Sequence, residues 1–491
     1  MSFEIITITE CDIFEGYYFT LVDKVKDINL AIATTTFKKE DYIIPNINSI
    51  KQECFEQDNE ISKNLWIHVV DNGRTLKKED INHERVYIHQ NINAGGSGGY
   101  ARGMMEVIKQ NEIAEDNKKI THVILMDDDI LILPEIIKRT YYLLKILKDE
   151  YKDYQVAGAM LKLQHKNILY ETLGHIPNDG YPRSINPERD YGNIWDIISS
   201  AKFEHIAERK YAGWWYCVIP MEYIRKDNLP LPLFIRDDDV EFGLRNKSGY
   251  ITLNGIAVWH ENFAYKYSSL IENYLLHRNN LIIQAVEEKL EAVEYFKILK
   301  KTFRKNICRF FYDEAELTIS ALEDYMKGPE HLMSFNINDV LKVANNKNNE
   351  IKTTKGTQYQ DVQIHQLINN RRRKFIEKVI YKLTYNGHRL PNAFLSDNKP
   401  TIMHNWLESP QKNYLNKTLI SINPYNNTYQ ERNIDKKKFR ELIKRYKNIV
   451  KLYNKNHERI RQEYKDKKKK MTSYEFWEKY LELKKVIRDG K

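Results

Sequence analysis

The hydrophobic positions along this chain follow two regimes. Up to about residue 285, short apolar runs of strand length alternate with segments whose apolar residues recur at helical spacing. Strands alternating with helices predict an α/β fold around a mostly parallel sheet. Ile28–Thr36, Asn64–Val70, Val86–His89, Val123–Met126, Gln155–Met160, Trp214–Pro220 and Tyr250–Ala257 read as strands. Tyr42–Phe55, a glycine-led segment reaching about Asn111, Pro134–Lys148 and Tyr274–Ala285 read as helices. Residues 1–28 alternate weakly and predict a short β-rich N-terminal segment, which leaves 29–285 as the α/β domain. Residues 161–212, broken by Gly174, Pro177, Gly180, Pro182, Pro187 and Gly192, read as a long functional insertion.

From 286 onward the pattern becomes that of long helices, over 288–304, 310–327 and 365–384, with a hairpin at Thr418–Tyr429. This predicts a helical C-terminal domain over 286–432 and a tail over 433–491. In the tail, Phe439, Leu442, Ile443, Tyr446, Ile449, Val450 and Tyr453 share one face of a helix at about 437–453.

A chain of 491 residues is too long for one ordinary core, which agrees with this division. Hydrophobic content of 42% and charged content of 30% fit a soluble globular protein. There is no apolar run of about 18 residues, and the first residues lack the basic and apolar regions of a signal peptide. Cys11, Cys54, Cys217 and Cys308 are scattered and read as free thiols of a reducing compartment. A cytoplasmic location is therefore expected. The net charge of +9 is uneven: residues 433–491 hold 21 Lys+Arg against 9 Asp+Glu, or +12, which leaves the rest at −3. A near-neutral body with a basic tail is not the footprint of a nucleic-acid enzyme. The tail carries a second apolar-aromatic stripe at Phe476, Trp477, Tyr480 and Leu481. Two readings stand side by side: helices packed on the body with a solvated basic face, or peripheral attachment to the anionic inner face of the membrane.

The candidate chemistry lies at strand ends. Asp127, Asp128 and Asp129 follow the apolar run Val123–Met126, at the edge where open α/β sheets bind ligands. Three adjacent carboxylates repel one another unless a cation joins them, and a hard divalent cation takes oxygen ligands. The bland alternative is a solvated acidic turn. The first strand ends in Thr36-Phe37-Lys38-Lys39, and the second in Asp71-Asn72-Gly73. After the third comes Asn93-Ala94-Gly95-Gly96-Ser97-Gly98-Gly99, opening a helix where an anion or phosphate is favoured. Its spacing does not match the dinucleotide fingerprint, which argues against a nicotinamide oxidoreductase. A second acidic cluster, Asp237-Asp238-Asp239 with Glu241, opens another helix; Trp214-Trp215 leads a strand, and His260 follows one. Individually these read as helix caps, core aromatics and a structural histidine.

As an ordered set they resemble the family-2 glycosyltransferases with a GT-A nucleotide-sugar-binding domain, and among them the bacterial galactofuranosyltransferases of cell-wall galactan synthesis. The resemblance spans roughly 30–285 and rests on Thr36-Phe37-Lys38-Lys39, Asn93 with the Gly95–Gly99 loop, Asp127–Asp129, Trp214-Trp215, Asp238-Asp239-Val240-Glu241-Phe242-Gly243-Leu244-Arg245, and Trp259-His260. It implies an inverting transfer, most readily of galactofuranose from UDP-galactofuranose, onto a lipid-linked glycan acceptor in cell-wall or capsule polysaccharide synthesis. A rhamnosyl or other donor of the same family, and a non-catalytic nucleotide-sugar-binding scaffold, are the alternatives. Asp127, Asp129 and His260 would hold a divalent metal, Mn2+ in preference to Mg2+ because of the imidazole. Thr36, Phe37, Lys39, Asp71, Asn93, Gly95, Gly96, Ser97 and Asp128 would hold the nucleotide sugar. Trp214, Trp215 and Glu241 would face the acceptor, and Asp239, supported by Asp238, would be the base. Homo-oligomerisation is left open. Two departures stand out. A lysine replaces the usual arginine after Thr-Phe, and the N-terminal segment is short for a processive polymerase.

Overall fold

The strands form where apolar residues fill consecutive positions and both faces are covered. Leu30 to Ala33 and Val123 to Met126 are all buried, as a doubly covered sheet requires. The structure is a computed structural model and describes residues 6–12, 14, 19–57, 59–185, 188–201, 207–263, 265–287, 290, 292–334, 354–355, 373–403, 413–423, 425 and 428–483. Its central sheet has seven strands. Four are labelled here: β1 (Leu30–Thr36), β2 (Leu65–Asp71), β3 (Val86–Gln90) and β4 (His122–Asp127). The sheet runs Tyr250–Ile251, Gln155–Ala157, Tyr216–Pro220, β4, β1, β2, β3. Pairings among β4, β1, β2 and β3 are parallel, and Tyr216–Pro220 is antiparallel to both neighbours. The α/β class with a mostly parallel sheet and a helical C-terminal region is therefore as expected.

The early helices are α1 (Glu40–Ile50), α2 (Glu60–Asn64), α3 (Gly95–Ile113) and α4 (Glu135–Ile146). Helix α3 lies directly on β1. A Cβ on Gly99 would come within 1.8 Å of Thr35 Oγ1, and one on Gly103 within 2.9 Å of Ala33 Cβ. Part of the glycine signal is thus close helix-to-strand packing. Ala257–His260 pairs antiparallel with Ile130–Leu131, with His260 opposite Ile130. That register carries His260 to the tip of β4.

The insertion 161–212 is not irregular throughout. It contains the strand His165–Glu171 and several two-residue strands. No strand forms before Leu30 among the described residues, where Ile6, Ile8, Phe19 and Leu21 are exposed, so the β-rich preface is not found there. The helices expected at 288–304 and 310–327 lie at Ala292–Cys308 and Tyr312–Met326. Of the helix expected at 365–384, residues 375–384 are helical, and 365–372 lie outside the described residues. The hairpin forms from Thr418–Asn423 and Thr428–Asn433.

The tail helix is longer than expected, running over Lys436–Met471. Its apolar face continues through Ile460, Tyr464 and Met471, which join Phe303, Ile319 and Leu322 in one core. Asp435 caps it by accepting from the backbone N–H groups of Lys437 and Lys438 at 2.9 and 2.8 Å. The aromatic stripe, for which packing on the body and membrane attachment stood as alternatives, packs inward. Trp477 and Leu481 are buried against α3 residues, and the Trp477 indole donates to the Pro230 carbonyl at 2.9 Å. A buried stripe cannot meet lipid, so only the exposed basic side chains of the tail remain of that expectation. Among the described residues, no helix is long and apolar enough to cross a membrane.

Candidate active site

The ends of β1, β2 and β4 converge at the C-terminal edge of the sheet. Asp127 closes β4 and accepts a hydrogen bond from the Tyr100 hydroxyl at 2.6 Å. Burial raises its pKa. Burial and then the charge of Asp129 push Asp128 up to about 7. Asp129 behaves oppositely. Burial works against its charge, but His260 Nε2 at 3.2 Å and Lys266 Nζ at 2.6 Å hold its pKa well below the usual range. Lys39 Nζ stands 3.5 Å from the same carboxylate.

His260 Nδ1 lies 2.6 Å from the Glu261 carbonyl, which can only accept, so Nδ1 carries a hydrogen, and Nε2 is the nitrogen that faces Asp129 and Lys266. An imidazole held at its far nitrogen by a carbonyl is oriented as metal-ligating histidines are. Among the described residues, no three acidic, histidine or cysteine side chains stand together in ready metal-ligating geometry. Asp129 and His260 fit a divalent cation by donor type and mutual approach. Asp127, the third expected ligand, is turned to Tyr100.

The second acidic cluster opens the helix Asp238–Asn246. The chain enters it through strained backbone, with φ of 78° at Phe234, 73° at Arg236 and 67° at Asp237. Three contacts hold the loop. Arg236 pairs with Glu272 at 2.9 Å, Asp237 accepts from Asn280 Nδ2 at 2.9 Å, and the Ser97 N–H donates to the Phe234 carbonyl at 3.1 Å. Gly95 is needed here, since its φ is 67° and a Cβ would lie 2.1 Å from that same carbonyl oxygen. A Cβ on Gly96 would stand 3.3 Å from Asp238 Oδ2. The glycine loop therefore seats the second acidic cluster against the first.

Asp127, Asp238 and Asp239 line one cleft of about 640 Å³, together with Tyr100, Glu171 and the two tryptophans. Burial raises the pKa of both Asp238 and Asp239, aided by the charge of Asp239 on the former and of Asp127 on the latter. Asp238 is buried, whereas Asp239 is partly exposed with Oδ1 accepting from the Val240 N–H at 2.8 Å. Glu171 is pushed up to about 7 by burial and then by the charge of Asp239.

The other expected residues divide. Thr36 is buried at the tip of β1, and Phe37 beside it is 44% exposed and open to a ligand. Asn93 accepts from the Gly95 N–H at 3.2 Å and is partly exposed. Asp71 is fully buried, and its carboxylate accepts from the backbone N–H groups of Gly73, Thr75 and Leu76 at 2.9, 2.7 and 2.8 Å. It holds the turn and does not offer itself to a nucleoside. Trp214 and Trp215 are 5% and 7% exposed. Trp214 packs edge-on to Tyr100 and Phe242, and the Trp215 indole donates to the Gly158 carbonyl at 2.8 Å. They wall the cleft without forming an open platform. Glu241 is fully buried and paired twice with Arg245, at 2.8 and 2.9 Å. It is absent from the cleft lining, and its carboxylate is taken up by Arg245.

Sequence reasoning missed Tyr100, Glu171, Lys266 and the Asn72–Asn91 pair. Asn91 Nδ2 donates to Asn72 Oδ1 at 2.9 Å, and Asn72 Nδ2 donates to Thr35 Oγ1 at 3.0 Å and the Gly95 carbonyl at 3.2 Å, tying three strand tips to the glycine loop. Asn-Gly after Asp71 and Asn91 before the glycines were the only signals for it.

Comparison with known proteins agrees with the motif pattern. No protein-family model matches the chain. It is 31% identical over 269 residues to galactofuranosyltransferase GlfT2 of Mycobacterium tuberculosis, covering 51% of this chain and 40% of that protein. It is 31% identical over 265 residues to galactofuranosyltransferase GlfT2 of Mycolicibacterium smegmatis, covering 51% of this chain and 39% of that one. The chain thus spans about 40% of the length of the curated relatives it matches. Two solved structures align weakly. One is mannosyltransferase PcManGT from Pyrobaculum calidifontis in complex with GDP-Man and Mn2+, at 10% identity over 68% of this chain and 84% of its own, with a TM-score of 0.31. The other is a mycobacterial protein, at 10% identity over 54% of this chain and 76% of its own, with a TM-score of 0.32. Neither likeness bears on the site. The resemblance to galactofuranosyltransferases is borne out by the two curated relatives.

Proposed function

We propose that the chain is an inverting glycosyltransferase that moves galactofuranose from UDP-galactofuranose onto a lipid-linked glycan acceptor. The observation that carries this reading is that Asp127, which opens the first acidic cluster, and Asp237, Asp238 and Asp239 of the second line one cleft at the C-terminal edge of the sheet. Along the chain the clusters are far apart, with 107 residues between Asp129 and Asp237. The 31% identity to two galactofuranosyltransferases supports the donor class.

Each cluster has a distinct task. Asp129 and His260 would hold a divalent cation, with Mn2+ better suited than Mg2+ to an imidazole ligand. When bound, that ion neutralises charge growing on the departing diphosphate. Lys39, 3.5 Å from Asp129, supplies a point charge for phosphate oxygens. Phe37 and Asn93 flank the same edge for the nucleoside. Asp239 is partly exposed to the cleft and carries a raised pKa, so its carboxylate is a stronger base than an ordinary aspartate. It takes the acceptor hydroxyl proton as that oxygen attacks the anomeric carbon on the face opposite the diphosphate. Asp238 and the strained loop fix its position. The cleft walls of Trp214 and Trp215 exclude water from an oxocarbenium-like transition state.

The test is a panel of UDP-, GDP- and dTDP-sugars, each assayed for nucleotide release with EDTA, Mg2+ or Mn2+, with the product anomer read by NMR. Release from UDP-galactofuranose with Mn2+ and an inverted product is expected. No release from any donor would favour a binding scaffold, preference for dTDP-rhamnose would move the donor, and undiminished release in EDTA would remove the metal.

A further inference from the structure

The ammonium of Lys266 lies where a cation shared by Asp129 and His260 would lie. Its Nζ is 2.6 Å from Asp129 Oδ2 and 3.3 Å from His260 Nε2. Asp129 Oδ1 is itself 3.2 Å from His260 Nε2, so the three groups form a closed triangle of carboxylate, imidazole and ammonium. Lys266 follows His260 by six residues, on the stretch after the strand that sets His260 opposite Ile130. Its side chain is 28% exposed, and its four-carbon stem leaves the ammonium free to move. A divalent ion and this ammonium cannot both sit there. They compete for the same Asp129 oxygen and imidazole lone pair, and they repel one another.

We propose that Lys266 is a positioning residue that acts as an internal competitor for the metal position. This rests on the reading of Asp129 and His260 as metal ligands and adds to it a reason for ordered binding. The ammonium neutralises Asp129 until a divalent ion displaces it. A diphosphate bound beside the metal then offers the ammonium a new anionic partner, so nucleotide and metal favour one another's binding.

Mn2+ binding to the full chain tests this without any turnover. The protein is stripped with chelator and titrated with Mn2+, free Mn2+ being read by electron paramagnetic resonance, with and without UDP. Lys266→Met keeps the stem and removes the charge, Lys266→Gln is a second such variant, and Lys266→Arg keeps the charge. Both charge-removing variants are expected to bind Mn2+ about tenfold more tightly than the wild type in the absence of UDP. Lys266→Arg should stay within about twofold of the wild type. UDP should tighten Mn2+ binding by the wild type more than by Lys266→Met. Equal or weaker Mn2+ binding by both charge-removing variants overturns the competitor role and leaves the metal reading standing. No Mn2+ binding by any of the four proteins overturns both.

Discussion

Replacing Asp239 by asparagine should abolish turnover and stabilise the fold. The side chain keeps its shape, and the oxygen that accepts from the Val240 N–H at 2.8 Å can still do so. What is lost is the proton acceptor. General-base assistance contributes about 100- to 10,000-fold, or roughly 3–5 kcal/mol of barrier, so kcat should fall by that factor while UDP-sugar affinity holds. The stability effect has the opposite sign. Burial and the charge of Asp127 raise the pKa of Asp239 in the folded chain above its unfolded value. For a carboxyl raised in this way, ionisation costs stability: the cost is absent below the unfolded pKa and grows as pH rises through the folded one. Each tenfold weakening of the acid on folding corresponds to about 1.4 kcal/mol. Asp239→Asn should therefore raise Tm by a few degrees at pH 7 and by nothing near pH 3. The raised pKa also places the acid limb of the wild-type kcat/KM profile above the ordinary carboxylate range, since the base works only when ionised. The assays are nucleotide release against pH and paired thermal melts at the two pH values. An active Asp239→Asn variant would move the base to another carboxylate. An inactive variant that is also destabilised at pH 7 would make Asp239 a structural residue.

Gly95→Ala meets both a positive φ and a carbonyl oxygen 2.1 Å from the new Cβ. It should lose about 2 kcal/mol or more in chemical denaturation and release the loop that carries Asp238 and Asp239; wild-type stability would refute the seating of that loop on the glycines. Glu241→Gln leaves the Arg245 guanidinium without its charged partner and should cost about 3–5 kcal/mol, with acceptor KM unchanged in the folded fraction. A raised acceptor KM at unchanged stability would restore Glu241 to the acceptor. Trp477→Ala should cost about 3–5 kcal/mol by emptying a buried site against α3, and binding to anionic liposomes should be the same as for the wild type.

What was legible in the sequence was what depends on local pattern. Apolar runs marked the strands, and the carboxylates closing them lay at the sheet edge where ligands bind. The order of motifs carried the family resemblance. What was hidden depends on register and on the facing partner. Lys266 reaches Asp129 only because Ala257–His260 pairs with Ile130–Leu131, and no spacing in the chain announces that pairing. Glu171 is a single acid in the run Tyr-Glu-Thr-Leu-Gly, and its raised pKa comes from burial and from Asp239, 68 positions away. The surroundings of Glu241 were hidden for the reverse reason. A residue three places after Asp238 looks like a member of the acidic cluster, yet on the helix it turns inward to Arg245. For the tail stripe both readings stayed open because an amphipathic face looks the same whether lipid or protein covers it.

The electrostatics of the cleft follow from one imbalance. Asp127, Asp128, Asp237, Asp238, Asp239 and Glu171 all have raised pKa values with burial as the first cause, and Asp129 alone among these acids is lowered. The difference lies in the immediate partners. Asp129 touches the Lys266 ammonium and the His260 ring, while Asp237, Asp239 and Glu171 share the charge of one arginine, Arg236, which is already matched by Glu272. Stability alone would favour amides or apolar groups at several of these positions. The concentration of Asp127, Glu171 and Asp237–Asp239 in one cleft, with Asp237 held at positive φ, makes sense if the charge is used on a bound cation and on an acceptor proton. Uneven pairing of this kind also separates the two tasks. The carboxylate already matched by an ammonium is suited to exchange one cation for another, and the unmatched, partly exposed Asp239 is suited to take up a proton.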